Sequence, residues 1–476
     1  MPVARDVLAH AAKSPDMVAL RSPGRTRTYG QLGADISAAV GAWWAAGVRP
    51  GRLVAVDLAE PIDLLTAVLA ADLIRATPLV CDASWSAEQR TAVLGTIGPD
   101  LHVRDWPPAS YGDAGVTTGP ESATLAGAPA PYDVAWAGFS SGSTGRPRAV
   151  ARTRASWTGC YPAVDKLTGM TSEDTVLVPG PLASSLYCFA ALHGLATGAS
   201  VTVTGRWASG LVRSYLADSD VVHLVPHLLE HVVGELASMG PSRLRMAVSG
   251  GAGLPAGLRE RAGAAGLDVV EYYGAVELSF VAVDADGLGL RPFDNVEIDV
   301  RQVPGSSGLG EVWVRSPWLA EGYLAGATGP FRRDDDGWAT VGDLAEADSS
   351  GTRALRLRGR GDGAVVTGGA TVVPEDVEAV LGGVPGVRDV VVVGTPHHWL
   401  GSVVTAVIET AGPPVRRKIL EAAARRELTP AQRPRRWYEA DRLPRTPAGK
   451  PARAIIAEAL IDGRPDHSGT SIRLMR

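Results

Sequence analysis

Apolar positions in the first part of the chain follow two alternating rhythms. Short, nearly continuous apolar runs read as strands buried on both faces: Leu53-Val-Ala-Val-Asp-Leu58, Thr77-Pro-Leu-Val-Cys81, Val134-Ala-Trp-Ala-Gly-Phe139, Thr175-Val-Leu-Val178, Ser200-Val-Thr-Val-Thr204, Val221-Val-His-Leu-Val225 and Arg245-Met-Ala-Val-Ser249. Between them, apolar residues recur at helical spacing: Val7, Leu8 and Ala11 near the start, then Ile36, Val40, Trp43 and Trp44, and the stretches 64–74, 185–196, 208–216 and 227–239. Gly47 stands where a glycine closes the second of these helices. Strand, helix and strand in repeated order predict parallel α/β sheets with crossover helices, and the tryptophans among them belong to the core.

The pattern changes twice. Residues 105–133 are rich in Pro, Gly, Ala, Thr and Ser without periodicity and read as a loop. From about residue 290 to 358 the runs become short and alternating between turn residues, which predicts a small β-barrel or sheet. Glycines flank Arg360 and Asp362, giving the backbone the freedom a hinge requires. The expected organisation is a large N-terminal part over 1–360, a small α+β lid over 361–463 and a disordered tail over 464–476.

At 476 residues the chain exceeds one ordinary core. Its 46 Lys and Arg against 51 Asp and Glu leave no general basic surplus for nucleic acid, so the partner is expected to be a small molecule. Cys81, Cys160 and Cys188 are too few and scattered for a disulfide framework or a zinc site, as in a reducing cytoplasm. No signal-peptide core and no run of about 20 apolar residues occurs, so a soluble cytoplasmic protein without a membrane segment is expected.

Candidate chemistry is densest at Phe139-Ser-Ser-Gly-Ser-Thr-Gly-Arg-Pro-Arg-Ala-Val150. Glycines let several amide N–H groups converge on one anion, hydroxyls add neutral donors, and arginine adds charge-assisted bonds. A strand feeding a phosphate loop, with a new element from Arg152 onward, is one reading; a solvated Ser/Gly turn is the other. The spacing of Gly142 and Gly145, with no lysine following, excludes a Walker A loop. Further along, Ser249-Gly-Gly-Ala-Gly ends a strand where open α/β sheets take ligands, although a plain turn has the same composition. In Val269-Val-Glu-Tyr-Tyr-Gly-Ala-Val-Glu277, a tyrosine beside a glycine can stack on a planar base, and the carboxylate can hold a magnesium ion. His227 and His231 have the spacing of a zinc pair on one helix face, yet no third ligand is evident.

In this order the strings resemble the signatures of the adenylate-forming enzymes: acyl-CoA synthetases, adenylation domains of peptide synthetases and luciferase. The resemblance runs from about residue 5 to 460 and includes Gly342-Asp-Leu344 and Leu443-Pro-Arg-Thr-Pro-Ala-Gly-Lys450. It implies that Ser140, Ser141, Gly142, Ser143, Thr144, Gly145 and Arg148 hold phosphate, and that Gly250, Gly251 and Ala252 lie along the base and the acyl group. Tyr273 with Gly274 would stack on adenine, Glu277 would ligate Mg²⁺, and Asp343 and Arg360 would contact ribose. Asp362 would be the pivot of the lid, Gly368 and Gly369 would pass a thiol arm, and Lys450 would bridge the acyl carboxylate and the α-phosphate. Arg148 replaces the usual lysine, Ala149 a glycine and Val276 a threonine. The activity implied is ATP-dependent activation of a carboxylic acid to an acyl-adenylate, then transfer to coenzyme A. Loading a separate carrier protein or an amine is an alternative, and so is a non-catalytic nucleotide binder. The stretch 181–189 carries no acid to pair with a substrate amine, which argues against an α-amino acid; Ser184, Tyr187, His223 and Ser249 are the candidate acyl-pocket residues.

Overall fold

A computed structural model describes residues 3–106, 127–140, 147–302, 308–346, 354–360, 363, 365–367, 370–446, 451–462 and 472–475. The chain packs as two compact units, one drawn from 1–140, 147–297 and 314–339, the other chiefly from 298–313 and 340–476.

The first unit holds two mixed sheets. In the larger, Val18–Ser22, Ser200–Val203, Thr175–Val178, Val221–Leu224, Met246–Gly250 and Asp268–Ala275 lie side by side, each parallel to its neighbour. The edges are antiparallel: Arg25–Thr28 returns from Val18–Ser22 through a tight turn in which Gly24 has φ +79°, and Ser279–Asp284 with Arg291–Pro292 closes the other side. In the smaller sheet, Leu101–Val103, Leu53–Val56, Thr77–Val80 and Val134–Ser140 are parallel, and Arg148–Thr153 and Gly322–Tyr323 continue antiparallel. The parallel sheets expected from the apolar runs are therefore present, and local hairpins add the antiparallel edges.

Helix boundaries follow their caps. Tyr29–Ala45 starts from a capping box in which Thr28 and Gln31 satisfy each other's backbone N–H, and beyond its end Gly47 takes φ +89°. Pro61–Leu73 begins ahead of the apolar pattern because Pro61 sits in the first turn, where its missing N–H costs nothing, and Glu60 caps Ile62. That helix is buried along most of its length, and its Asp72 accepts from the Ala4 N–H at 3.0 Å and pairs with the buried Arg154. Trp136 and Trp157 stack at 4.1 Å in the core. No described helix is long and apolar enough to cross a membrane.

In the second unit, Leu309–Arg315 pairs with Asp343–Glu346, which pairs with Leu357–Arg360, all antiparallel. A further sheet joins Ala370–Val372, Val365–Thr367, Gly401–Thr410 and Arg436–Ala440, with Val387–His397 also paired to Gly401–Thr410. Pro374–Gly382 and Arg417–Glu427 cover a core containing Val377, Leu381, Val392, Ile408, Leu420 and Trp437. One expectation needs correction: the stretch beyond residue 463 is not tail throughout. Ile472–Leu474 pairs antiparallel with Arg436–Ala440, and Met475 is buried in the core just described. A three-residue strand is too short to leave a periodic signal in the sequence.

Candidate active site

The expected phosphate loop connects two antiparallel strands, Val134–Ser140 and Arg148–Thr153, with Ser140 opposite Arg148 at its mouth. The sequence reading begins a new element at Arg152; the strand instead runs through it, and a short helix, Arg154–Thr158, follows. Ser141, Gly142, Ser143, Thr144 and Gly145 lie outside the described residues, as do Asp362, Gly368, Gly369 and Lys450.

Alternation along Arg148–Thr153 puts Arg148, Val150 and Arg152 on one face. Gly322–Tyr323 pairs with this strand so that Tyr323 lies opposite Val150, on that same face. Tyr323 donates its hydroxyl to Glu277 Oε1 at 3.0 Å and accepts from the Phe331 N–H at 3.3 Å. Burial, together with the Glu277 carboxylate, pushes the Tyr323 hydroxyl well above its ordinary pKa, against a smaller opposing effect of the Arg148 charge. The hydroxyl therefore stays a donor. Glu277 itself is only 2% exposed.

Below Glu277 lies Arg152, 1% exposed. It donates from Nε to Ser156 Oγ at 3.0 Å, from Nη1 to the Val276 carbonyl at 2.9 Å, and from Nη2 to the Ser156 and Trp318 carbonyls at 2.5 and 2.8 Å. Among the described residues no carboxylate comes within ion-pair distance of it. Burial pushes its pKa down to about 10, with Cys160 and Glu277 acting in the opposite direction. The Glu277 carbonyl accepts from the Ala320 N–H at 2.8 Å. Ala320 thus holds the main chain of Glu277, Tyr323 its carboxylate, and Arg152 the carbonyl of the preceding Val276, which stands in place of the expected hydroxyl.

Among the described residues, no group of three or more His, Cys, Asp or Glu comes together to hold a metal. One buried carboxylate still fits magnesium, which commonly takes one or two carboxylates and fills its octahedron with phosphate oxygens and water. His227 and His231 face each other at 5.0 Å between ring centroids without joining such a group.

The glycine-rich end of Met246–Gly250 runs beside Asp268–Ala275, with Ser249 opposite Glu271 and Gly250 opposite Tyr272. A Cβ on Gly250 would lie 2.3 Å from the Tyr272 ring, so only glycine fits, and Gly251 turns the chain away at φ +88°, with Ala252 following. Tyr273 is buried on the opposite face from Tyr272, and Gly274 lies so close to the Ser279 carbonyl that a Cβ would come within 2.1 Å.

Strand register sorts the proposed pocket residues. His223 lies opposite Val248, so His223, Gly250 and Tyr272 share a face. On that side Tyr272, Phe280, Phe189 and His193 form a chain of ring contacts at 4.5, 4.9 and 5.5 Å. Tyr187 is buried on the same helix, Ser185–Thr197, with its ring over Gly180, and senses Tyr272 electrostatically. Ser184 stands at the N-cap position of that helix, without a capping bond from its hydroxyl. Burial and the neighbouring His193 push the His223 pKa down to about 3, so its ring is neutral. Ser249 does not join them: it pairs with Leu224 and Glu271, on the face that carries the Leu224, Leu228 and Leu229 core. Sequence position at a strand end does not reveal which face a side chain takes; register does.

In the second unit, Asp343 lies opposite Arg360 on adjacent strands, bringing the two proposed ribose residues to one register position. Gly342 precedes Asp343 at φ +81°. Two residues that sequence reasoning did not single out, Arg152 and Tyr323, organise the surroundings of Glu277. The available signal for Arg152 was a lone charge within the apolar run Ala149-Val-Ala-Arg-Thr153.

With this geometry in hand, comparison with known proteins is informative. Residues 7–324 match the AMP-binding enzyme family, and 376–450 match the AMP-binding enzyme C-terminal domain. The uncharacterized acyl-CoA ligase YhfT of Bacillus subtilis strain 168 is 31% identical over 338 residues, covering 68% of this chain and 68% of that protein. The amide bond synthetase McbA from Marinactinospora thermotolerans is 25% identical with a TM-score of 0.79, covering 97% of this chain and 99% of that one. O-succinylbenzoate coenzyme A synthetase (MenE) from Bacillus subtilis, solved with ATP and magnesium ion, shares the fold at 22% identity and a TM-score of 0.79, with 94% and 98% of the two chains covered. By the extent of the family match and its identity to YhfT, the chain belongs to the AMP-binding enzyme family, within the adenylate-forming superfamily.

Proposed function

We propose that the protein activates a carboxylic acid lacking an α-amine, through attack of the carboxylate on the α-phosphate of ATP with release of pyrophosphate, and then passes the acyl group to the thiol of coenzyme A. The observation that carries this reading is the single strand face shared by Arg148, at the mouth of the phosphate loop, and Tyr323, whose hydroxyl donates to Glu277.

A carboxylate is a poor electrophile because its leaving group would be oxide; converting that oxygen into part of a phosphate ester makes departure feasible. Residues 140–145 would cradle the phosphates with backbone N–H groups and hydroxyls, and Arg148 would place a guanidinium against them. Glu277 would hold magnesium, whose charge would neutralise the phosphate oxygens. Arg152 and Tyr323 would fix Glu277 in place, so that little reorganisation is needed as charge builds at phosphorus. Tyr273 would line the base and Asp343 and Arg360 the ribose, while Lys450 would supply an ammonium to the reacting oxygens. Residues 361–463 would act as a lid pivoting at Asp362, with Gly368 and Gly369 leaving room for the thiol arm. The acyl group would lie against Tyr187, His223 and Tyr272, an aromatic and neutral surface suited to an aryl or short-chain acid.

The likeness to an amide bond synthetase over nearly the whole chain supports an amine acceptor as the second reading. The test is pyrophosphate release with ATP and Mg²⁺ over a panel of carboxylic acids, each with and without coenzyme A. Release that depends on one acid and is accelerated by coenzyme A is the expected result; release indifferent to it moves the acceptor to an amine or a carrier protein. In the same assay Lys450→Ala should lower the rate about a hundredfold or more while ATP still binds. A chain that only binds nucleotide would show no turnover to lose.

A further inference from the structure

Glycine at the carboxyl end of a parallel strand leaves room on the sheet for a ligand, because no Cβ stands there. In this chain the room is taken by the protein itself. At Gly250 the absent Cβ would lie 2.3 Å from Cζ, 2.4 Å from Cε1 and 2.9 Å from Cε2 of Tyr272, so the phenol end of that ring lies over the neighbouring strand. The ring thus reaches sideways across the strand end, on the face that Gly250 shares with His223. Tyr187 does the same from the other flank: a Cβ on Gly180, just past Thr175–Val178, would lie 2.1 Å from its Cε2 and 2.3 Å from its Cζ. Thr175–Val178 and Met246–Gly250 are the two neighbours of Val221–Leu224, so the tyrosines close on the middle strand from opposite sides. Burial first, and then Tyr272, raise the pKa of the Tyr187 hydroxyl, as expected of two phenols that approach each other.

The space behind these rings is filled as well. Phe280 stands 4.5 Å from Tyr272 and Phe189 4.9 Å from Phe280, and both are buried. Tyr187 is buried too, whereas Tyr272 is only half-buried and is the ring that faces the opening. An acyl chain laid along Gly250 therefore meets Tyr272. Charge narrows the choice further. The groups that act electrostatically on Tyr187, Tyr272 and His223 are Tyr272, Cys160 and His193, and among the described residues no cation is one of them. A second carboxylate on the acid would lose its water here and find no partner, which burial penalises steeply.

We infer that Tyr272 limits the acyl group to a short, uncharged chain, so that short-chain monocarboxylic acids are the substrates and aryl acids are shut out. This assignment rests on the reading that the chain activates a carboxylic acid. The test measures kcat/KM for pyrophosphate release with ATP and Mg²⁺ over acetic, propionic, butyric, hexanoic, benzoic and succinic acids, for the parent and for variants at Tyr272. The parent should favour the best of the short acids over hexanoic and benzoic acid about a hundredfold or more. Tyr272→Ala should raise the values for hexanoic and benzoic acid about tenfold or more, Tyr272→Leu should shift them the same way by less, and Tyr272→Phe, which keeps the ring, should keep the parent's order of acids. The leucine variant, apolar at that strand position, decides the matter where the alanine variant does not fold. A parent that prefers benzoic or succinic acid overturns the assignment while acid activation stands. An order of acids that neither Tyr272→Ala nor Tyr272→Leu alters does the same. Silence toward these acids, with release on a larger acid of the panel described above, overturns the size limit alone. Silence toward every acid, with ATP still bound, overturns the acid-activation reading and this assignment with it.

Discussion

The surroundings of Glu277 and the turn at Trp399 use the same materials, arginine and aromatic rings, under opposite conditions of solvent. Around Glu277 the guanidinium of Arg152 is sealed from water, and its donors are spent on Ser156, Val276 and Trp318. At the turn between Val387–His397 and Gly401–Thr410, Arg435 and Trp399 are exposed to solvent. A buried polar group is costly unless satisfied, so the first arrangement is bound up with stability, whereas an exposed one can change without loss of fold. The difference teaches which residues can be probed for function alone.

The comparison is attacked hardest at Arg152. Arg152→Met should remove four hydrogen bonds and leave the Val276 and Trp318 carbonyls unsatisfied, costing about 3–5 kcal/mol of stability, read as a fall in urea midpoint. A cost near zero would mean that Arg152 is a passenger. His223 supplies a pH test of the same burial. Its folded pKa, lowered to about 3, lies below the usual 6.5, so between these values the unfolded chain binds the proton and the folded one does not. Stability contributed by the neutral ring is therefore complete above about pH 6.5 and is lost as pH falls, by roughly 1.4 kcal/mol per unit. His223→Asn should flatten this acid slope in urea titrations run from pH 7 to pH 4. Next comes Tyr323→Phe, which deletes the donor to Glu277 but keeps the ring; kcat/KM for pyrophosphate release should fall about tenfold while thermal stability changes by about 1 kcal/mol. Smallest is Trp399→Ala, expected within about 0.5 kcal/mol of the parent in thermal unfolding. If Trp399→Ala destabilises as much as Arg152→Met, the contrast between the two regions is wrong.

Much of the fold could be read from the sequence because parallel strands buried on both faces leave continuous apolar runs, as Val221–Leu224 and Thr175–Val178 do. Pro61 and Ile472 were harder for local reasons: one starts a helix ahead of its apolar pattern, and the other begins a strand too short to have one. Among the candidate site residues, Glu277 and Tyr273 could be singled out because motif residues are neighbours in the chain. Arg152 was not, since its partners come from other segments and a single charge in an apolar run does not name them. That Ser249 lies on the opposite face from His223 was not legible for the related reason that facing depends on register with Leu224 and Glu271.

The contacts of Arg152 also bear on when the protein becomes competent during folding. Its carbonyl partners at Val276 and Trp318 lie 124 and 166 residues further along the chain, so the loop that presents Glu277 reaches its final position only after three remote stretches have docked. Contacts of such sequence separation form slowly, because the loops between them must close first. Half-made chains, including those still emerging during synthesis, would carry residues 139–150 without an ordered Glu277 carboxylate nearby, and under the proposed function tight binding of magnesium nucleotide would mark the completion of the first unit.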